Sequence, residues 1–365
     1  MYGSRARKLL PSILLLSLLT LGGCATSGAK KDTTDQGFFP PPPDLPRIQF
    51  LMSITADSDL PGSRKGLVRL LLGDEPLRKL VRPRGVGVHE GVIYVADPAI
   101  GTVIKIDLQE GRFDWIRDGG SGKLSKPLGL AIAEDGTLFV ADSGRRQVVS
   151  YAPGDHAFIR SYGDPKTLKP TDVAVFGNNV YVSDIGDHEI EVYDRESGER
   201  SGTLGSEGAE PGRFKFPSFV TTGPTGEVYV TDSMNFRVQR LSAEGEHIES
   251  YGSAGDWTGK LSRPKGIAVD EEGRVHVLDA GFENAQIFLP GGEAATFYGG
   301  YGNFLGHMYL PFGIALDRSA LGYFESKVDP RIKAQYLIFV TNQSGPNRLN
   351  IYVFGEPVES AAGGK

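Results

Sequence analysis

Apolar positions along this chain change pattern twice. Leu9 to Leu21 is one continuous apolar run. From Ala25 to Pro46 polar residues and prolines replace it, with no period that would mark a packed element. Beyond that point short apolar runs alternate with turn-forming Gly, Asp, Asn and Pro, the pattern of strands joined by tight turns. Six of these segments share one shape: a proline, a short apolar strand, a turn, and a second strand ending in an acidic or amide residue. They run from Pro83 to Asp97, Pro127 to Asp142, Pro170 to Asp184, Pro217 to Asp232, Pro264 to Asp279 and Pro311 to Asn342. Successive prolines are 44, 43, 47, 47 and 47 residues apart.

Each unit continues into a third strand, such as Thr102-Val-Ile-Lys-Ile-Asp107, and a fourth, such as His247-Ile-Glu-Ser-Tyr251. The inner strands are apolar at nearly every position, as expected of strands covered on both faces. Turns such as Glu134-Asp135-Gly136 carry the glycine that a tight hairpin needs. Six near-equal units of four strands predict an all-β fold, a six-bladed β-propeller. The last unit ends after its third strand, Arg348 to Phe354, and one spare strand, Ile48 to Ile54, precedes the first. That N-terminal strand is expected to complete the last blade and close the ring, leaving no open edge. Residues 64–72 read equally as a short amphipathic helix or a strand. Strands alternate in direction, so each repeat proline and its partner Asp should share one face. The chain entering at Ile48, the enlarged turn Asp317 to Gln335 and the C-terminus should share the opposite face.

The fourth unit, Tyr229-Val-Thr-Asp232-Ser-Met-Asn235-Phe-Arg237-Val-Gln239, resembles the NHL-repeat family of six-bladed propellers. Thr102, Gln147, Glu189, Asn284 and Asn347 replace the family's arginine elsewhere. The inter-blade arginine–aspartate pairing that the resemblance implies therefore carries over only to Asp232 and Arg237. Related propeller enzymes hold calcium or zinc at the mouth of the central channel.

Arg5-Ala6-Arg7-Lys8 before the Leu9–Leu21 run, then Leu21-Gly22-Gly23-Cys24, resembles a bacterial lipobox. The resemblance implies cleavage after Gly23 and a diacylglycerol on Cys24. Ala25 in place of Asp favours the outer membrane. The expected organisation is a lipoprotein signal peptide over 1–23, a lipidated Cys24 and proline-rich tether over 24–46, the propeller over 47–355 and a flexible tail over 356–365. Cys24 is the single cysteine, so no internal disulfide can staple the domain. The net charge is −6, and no basic stripe points to nucleic acid.

Chemistry is sparse. The six histidines show no metal-ligand spacing, and His276, within a strand, reads as packed. His156 and His188 read as solvent-exposed turn residues. Asp97, Asp142, Asp184, Asp232 and Asp279 recur once per blade, which marks strand-end turn formers rather than catalysts. Asp172 stands where most units have glycine and is a candidate channel carboxylate. Arg82, Lys126, Lys169 and Arg263 precede repeat prolines and should ring one face. With Tyr323 and Phe324 of the enlarged turn they form the candidate binding surface. The expected function is a lipid-anchored binding or scaffold module, needing no cofactor, for a protein partner in the cell envelope. The alternative is a metal-dependent hydrolase or lyase in the channel.

Overall fold

A computed structural model describes residues 37–60, 78–116, 120–302 and 304–358. Cys24 and residues 64–72 lie outside them. Five antiparallel sheets have four strands and one has five. Blade 1 comprises Val86–His89, Val92–Asp97, Thr102–Asp107 and Arg112–Trp115; blade 4 comprises Pro217–Thr222, Val228–Asp232, Arg237–Leu241 and His247–Tyr251. Blades 2, 3 and 5 repeat this meander from Pro127, Pro170 and Pro264. Each first strand packs on the next blade's first strand, and the sixth packs on the first, so the ring is closed.

Closure follows the expected route. Ile48–Ile54 pairs antiparallel with Leu349–Pro357, from Ile48 opposite Phe354 to Ile54 opposite Leu349. The apolar core is divided among six seams between adjacent blades, one buried cluster to each. A seam buries both faces of a strand, hence the unbroken apolar runs.

Register places each repeat proline beside its partner: Pro127 opposite Asp142, Pro170 opposite Asp184, Pro217 opposite Asp232, Pro264 opposite Asp279 and Pro311 opposite Asn342. In these five blades the ladder slips just after the proline. Such a bulge re-aims the residues within it. The second residue after the proline is held at the inner wall. A Cβ on Gly313 would lie 2.3 Å from the Arg84 carbonyl oxygen, so only glycine lets these two backbones approach.

Several expectations change. The segment expected to be a tether through Pro46 is packed from Gly37 onward. Phe38–Phe39 pairs with Gln49 and Ile48 as a fifth strand, Phe38 is buried, and Phe39 meets the Tyr352 ring edge-on at 6.4 Å. This strand runs against Ile48–Ile54, so Gly37 sits on the proline side of it. Gly37 packs beside Leu305 and accepts a hydrogen bond from the Phe50 amide. The expected approach from the opposite face is thereby reversed. The tail begins later than expected, because the third strand of blade 6 reaches Pro357. The enlarged turn lengthens the second strand to Ile332–Asn342 and adds a helical turn, Leu321–Phe324. Phe324, expected at an exposed binding surface, is fully buried in the seam between blades 6 and 1. Tyr323 is half-buried against the same cluster. His156 and His188 are also half-buried.

At the seam of blades 5 and 6, His276 is buried between the Tyr298 hydroxyl, 3.2 Å from Nδ1, and the Tyr336 hydroxyl, 3.1 Å from Nε2. Tyr336 donates to Asp270 at 2.9 Å, so its oxygen can only accept from His276. The proton is thus on Nε2, and Nδ1 accepts from Tyr298. Burial pushes the imidazole down to about 4.

Two outcomes follow from this architecture. Ile54→Ala should lower stability by about 2–5 kcal/mol, measured by urea denaturation, because Ile54 is fully buried where the ring closes; an unchanged midpoint would refute closure through this strand. His276 stays neutral in the fold while the unfolded chain takes up a proton below about 6.5. Stability should therefore fall as pH drops from about 6.5 to 4, by on the order of 3 kcal/mol. His276→Gln should flatten that part of the pH profile of the melting temperature.

Candidate functional site

The face marked by the repeat prolines is built from buried acceptors. Asp97 accepts from the amides of Val81 at 2.7 Å and Arg82 at 3.0 Å. Asp142 accepts from Ser125 and Lys126, and Asp279 from Ser262 and Arg263. Asp184 accepts from Lys169 at 3.2 Å. In blade 4 Asp232 keeps only the bond from the residue two before the proline, the Lys215 amide, because Phe216 donates to His188 Nδ1. Asp232 also receives Asn235, Arg237 and Gln239. Its pair with Arg237 lies within blade 4, not between blades as the family resemblance implied.

The same bonds set the candidate surface. Fixing the backbone amides of Arg82, Lys126, Lys169 and Arg263 leaves all four side chains exposed at one rim. Tyr323 and Phe324 lie in a turn on the opposite face and do not join them.

Three residues that sequence reasoning passed over stand at the channel mouth inside this rim. Each directly follows a repeat proline: Arg84, Lys265 and Phe312. The last two lie in the bulges of their strands. The Arg84 guanidinium stacks over the Phe312 ring at 4.3 Å, and Phe312 meets Phe219 edge-on at 5.0 Å. Their signal was positional only: a charged or aromatic residue next to a proline at a repeat boundary.

Asp172 points into the channel, as its position suggested. The channel holds a cavity of about 250 Å³ with walls such as Val86, Leu130, Val173 and Ile267. Asp172 is half-buried and lines this cavity with them. One oxygen accepts from the Val220 amide of blade 4 at 3.2 Å. The other occupies the space where a Cβ on Gly129 of blade 2 would stand. Burial pushes the carboxyl up to about 8, so at neutral pH it is mostly protonated. Among the described residues no group of three or more His, Cys, Asp or Glu side chains is gathered for a metal.

A larger cavity of about 660 Å³ lies between blades 2 and 3 and is lined by Phe139, Tyr162, Arg160 and Arg195. Arg195 is already engaged there by Asp135 at 2.5 Å and Thr137 at 2.9 Å.

Neutral Asp172 stabilises the fold below pH about 4, and that contribution is lost as pH rises through about 8. Asp172→Asn should therefore melt above wild type at pH 9, with the difference closing towards pH 4, as thermal denaturation across this range would measure.

Residues 214–241 match the NHL repeat family. The chain is similar in structure to a streptogramin B lyase, with 14% identity over 76% of this chain and 84% of that one and a TM-score of 0.51. Virginiamycin B lyase from Staphylococcus aureus, in a catalytically inactive form with quinupristin, gives 15% identity, 77% and 85% coverage and a TM-score of 0.52. A structural genomics protein of unknown function from Bacteroides thetaiotaomicron gives 16%, 84% and 75%, and 0.56. At these identities the likeness is one of fold. Six antiparallel blades in a closed ring, the fourth of them carrying the match to the NHL repeat, make this chain a six-bladed β-propeller.

Proposed function

We propose that this propeller is a lipid-anchored docking module of the cell envelope that binds an acidic protein partner through the proline-marked face.

 The observation that carries this reading is the ring of exposed cations on the proline-marked face. The proline-marked rim exposes Arg82, Lys126, Lys169 and Arg263, whereas the turns of the opposite face expose Glu134, Glu244, Glu246, Glu271 and Glu272. A chain of net negative charge thus keeps a local basic surface able to steer and hold an acidic partner. Apolar contact is available beside it. Connections between blades cross this same face, and there Trp257, Tyr301 and Phe304 expose 67%, 82% and 58% of their surface. Large exposed aromatic side chains of this kind anchor protein interfaces.

The anchor in this reading is Cys24, carried to the outer membrane by the lipobox-like sequence and Ala25. The first described residue after Cys24 is Gly37, on the proline side of its strand. A tether from Cys24 to that point spans at most about 45 Å when extended, so the docking face is held close to the membrane that carries the anchor.

Two measurements test the proposal. Cys24→Ser should move the protein from the membrane pellet to the soluble fraction and abolish acylation; retention in the pellet with acylation intact would overturn the anchor. A photocrosslinker at Lys126 should capture an envelope partner, with capture falling as salt is raised. The same crosslinker at Tyr323 should capture little, and equal capture from both sites would overturn the assignment of the docking face.

A further inference from the structure

Most half-buried arginines of this propeller have oxygen acceptors: Arg145, Arg146 and Arg348 donate to backbone carbonyls, and others pair with carboxylates. Arg237 pairs with Asp232 at 2.9 Å and Arg274 with Asp270 at 2.6 Å, and Arg240 pairs with Glu227. At the channel mouth this rule breaks. Arg84 and Lys265 are half-buried, yet no described carboxylate or carbonyl receives either cationic head. Arg84 Nε is buried without a partner. Phe312 supplies its ring face to the guanidinium, and no acceptor edge.

The nearby carboxylates are committed elsewhere. Asp279 attracts Lys265, but its oxygens accept from the amides of Ser262, Arg263, Gly281 and Phe282. Asp172 lies within the channel, mostly protonated at neutral pH. Partial burial without a counter-charge disfavours both cations, and the values of both are depressed accordingly: by burial and then Arg82 for Arg84, and by burial and then Arg263 and Arg84 for Lys265. The backbone under them is held firmly. Thr341 Oγ1 donates to the Arg84 carbonyl and accepts from the Gly313 amide at 2.9 Å. Arg84, stacked on Phe312, and Lys265, near enough for Arg84 to disfavour its charge, thus bring two cationic heads without a described acceptor to one mouth.

We propose that the proline-side mouth of the channel is a binding site for a small oxyanion group, a phosphate or carboxylate, held between Arg84 and Lys265. The guanidinium fork suits two oxygens of one such group, and the ammonium adds a point charge. The site deepens the docking reading, since it lies within the same basic rim, but its test is separate.

Calorimetric titration with sodium phosphate, against sodium chloride at matched ionic strength, reads the site directly. Wild type should bind phosphate at one site per chain. Arg84→Gln and Lys265→Gln should each weaken binding at least tenfold, and Lys126→Gln on the outer rim should leave it unchanged. Without phosphate, Arg84→Gln should melt no lower than wild type, because it removes an uncompensated charge; the lost binding is then not lost folding. Absence of binding beyond the chloride control, or equal weakening by Lys126→Gln, would overturn the site. Flotation with phosphatidylglycerol vesicles, using the Cys24→Ser chain, separates the sources. Flotation abolished by Arg84→Gln assigns the group to a lipid headgroup, and phosphate binding without flotation assigns it to a free solute. Phosphate binding that survives while crosslinking from Lys126 fails would sink the docking reading and leave the anion site standing.

Discussion

A buried acceptor at the end of every second strand organises the ring. Asp97, Asp142, Asp184, Asp232, Asp279 and Asn342 are fully buried, and each accepts from a backbone amide of the segment that leads into its own blade. A hydrogen bond to a charged acceptor contributes about 1.5–3 kcal/mol, and leaving a buried amide unpaired costs a similar amount. The acceptor therefore ties the connection crossing from the previous blade to the strand pair that it feeds.

The surface chemistry is a consequence of this tie. The amides held are those of Arg82, Lys126, Lys169 and Arg263 or their neighbours, so a structural bond at the backbone aims a basic side chain at the rim. The bulge that follows each repeat proline in blades 2 to 6 frees the next residue from the ladder. One position further along, glycine lets the first strands of neighbouring blades touch. Blades 3 and 4 depart from it with Asp172 and Phe219, and these two side chains enter the narrow space of the channel.

The seams are not equivalent. Most are apolar, whereas blades 5 and 6 meet through Asp270, Tyr336, His276 and Tyr298. Every polar atom of the imidazole is satisfied there, so the network is compatible with burial, and it makes this seam the acid-sensitive one. It is also the seam beside the N-terminal strands, where Phe39 and Phe50 pack against Tyr352.

The ring, its closure by Ile48–Ile54 and the shared face of the prolines and aspartates were legible in the chain because each rests on short-range pattern: apolar runs, turn residues and a spacing of 43 to 47 residues. His276 as a packed residue and Asp172 as a channel residue could be placed from their offsets within the repeat. Phe38–Phe39 could not, because a two-residue strand has no period; it exists because the outer strand of blade 6 offers a free edge and aromatic rings to cover. Phe324 looked exposed for a similar reason: a long turn reads as surface until the seam it folds into is known. Arg84, Lys265 and Phe312 lie in blades 1, 5 and 6, and nothing local links them. Closing the ring brings the last blade against the first, and bulges turn Lys265 and Phe312 to the mouth where Arg84 stands. Repetition along the chain therefore dictated the architecture, and the closed ring alone dictated which unlike residues of different repeats would meet.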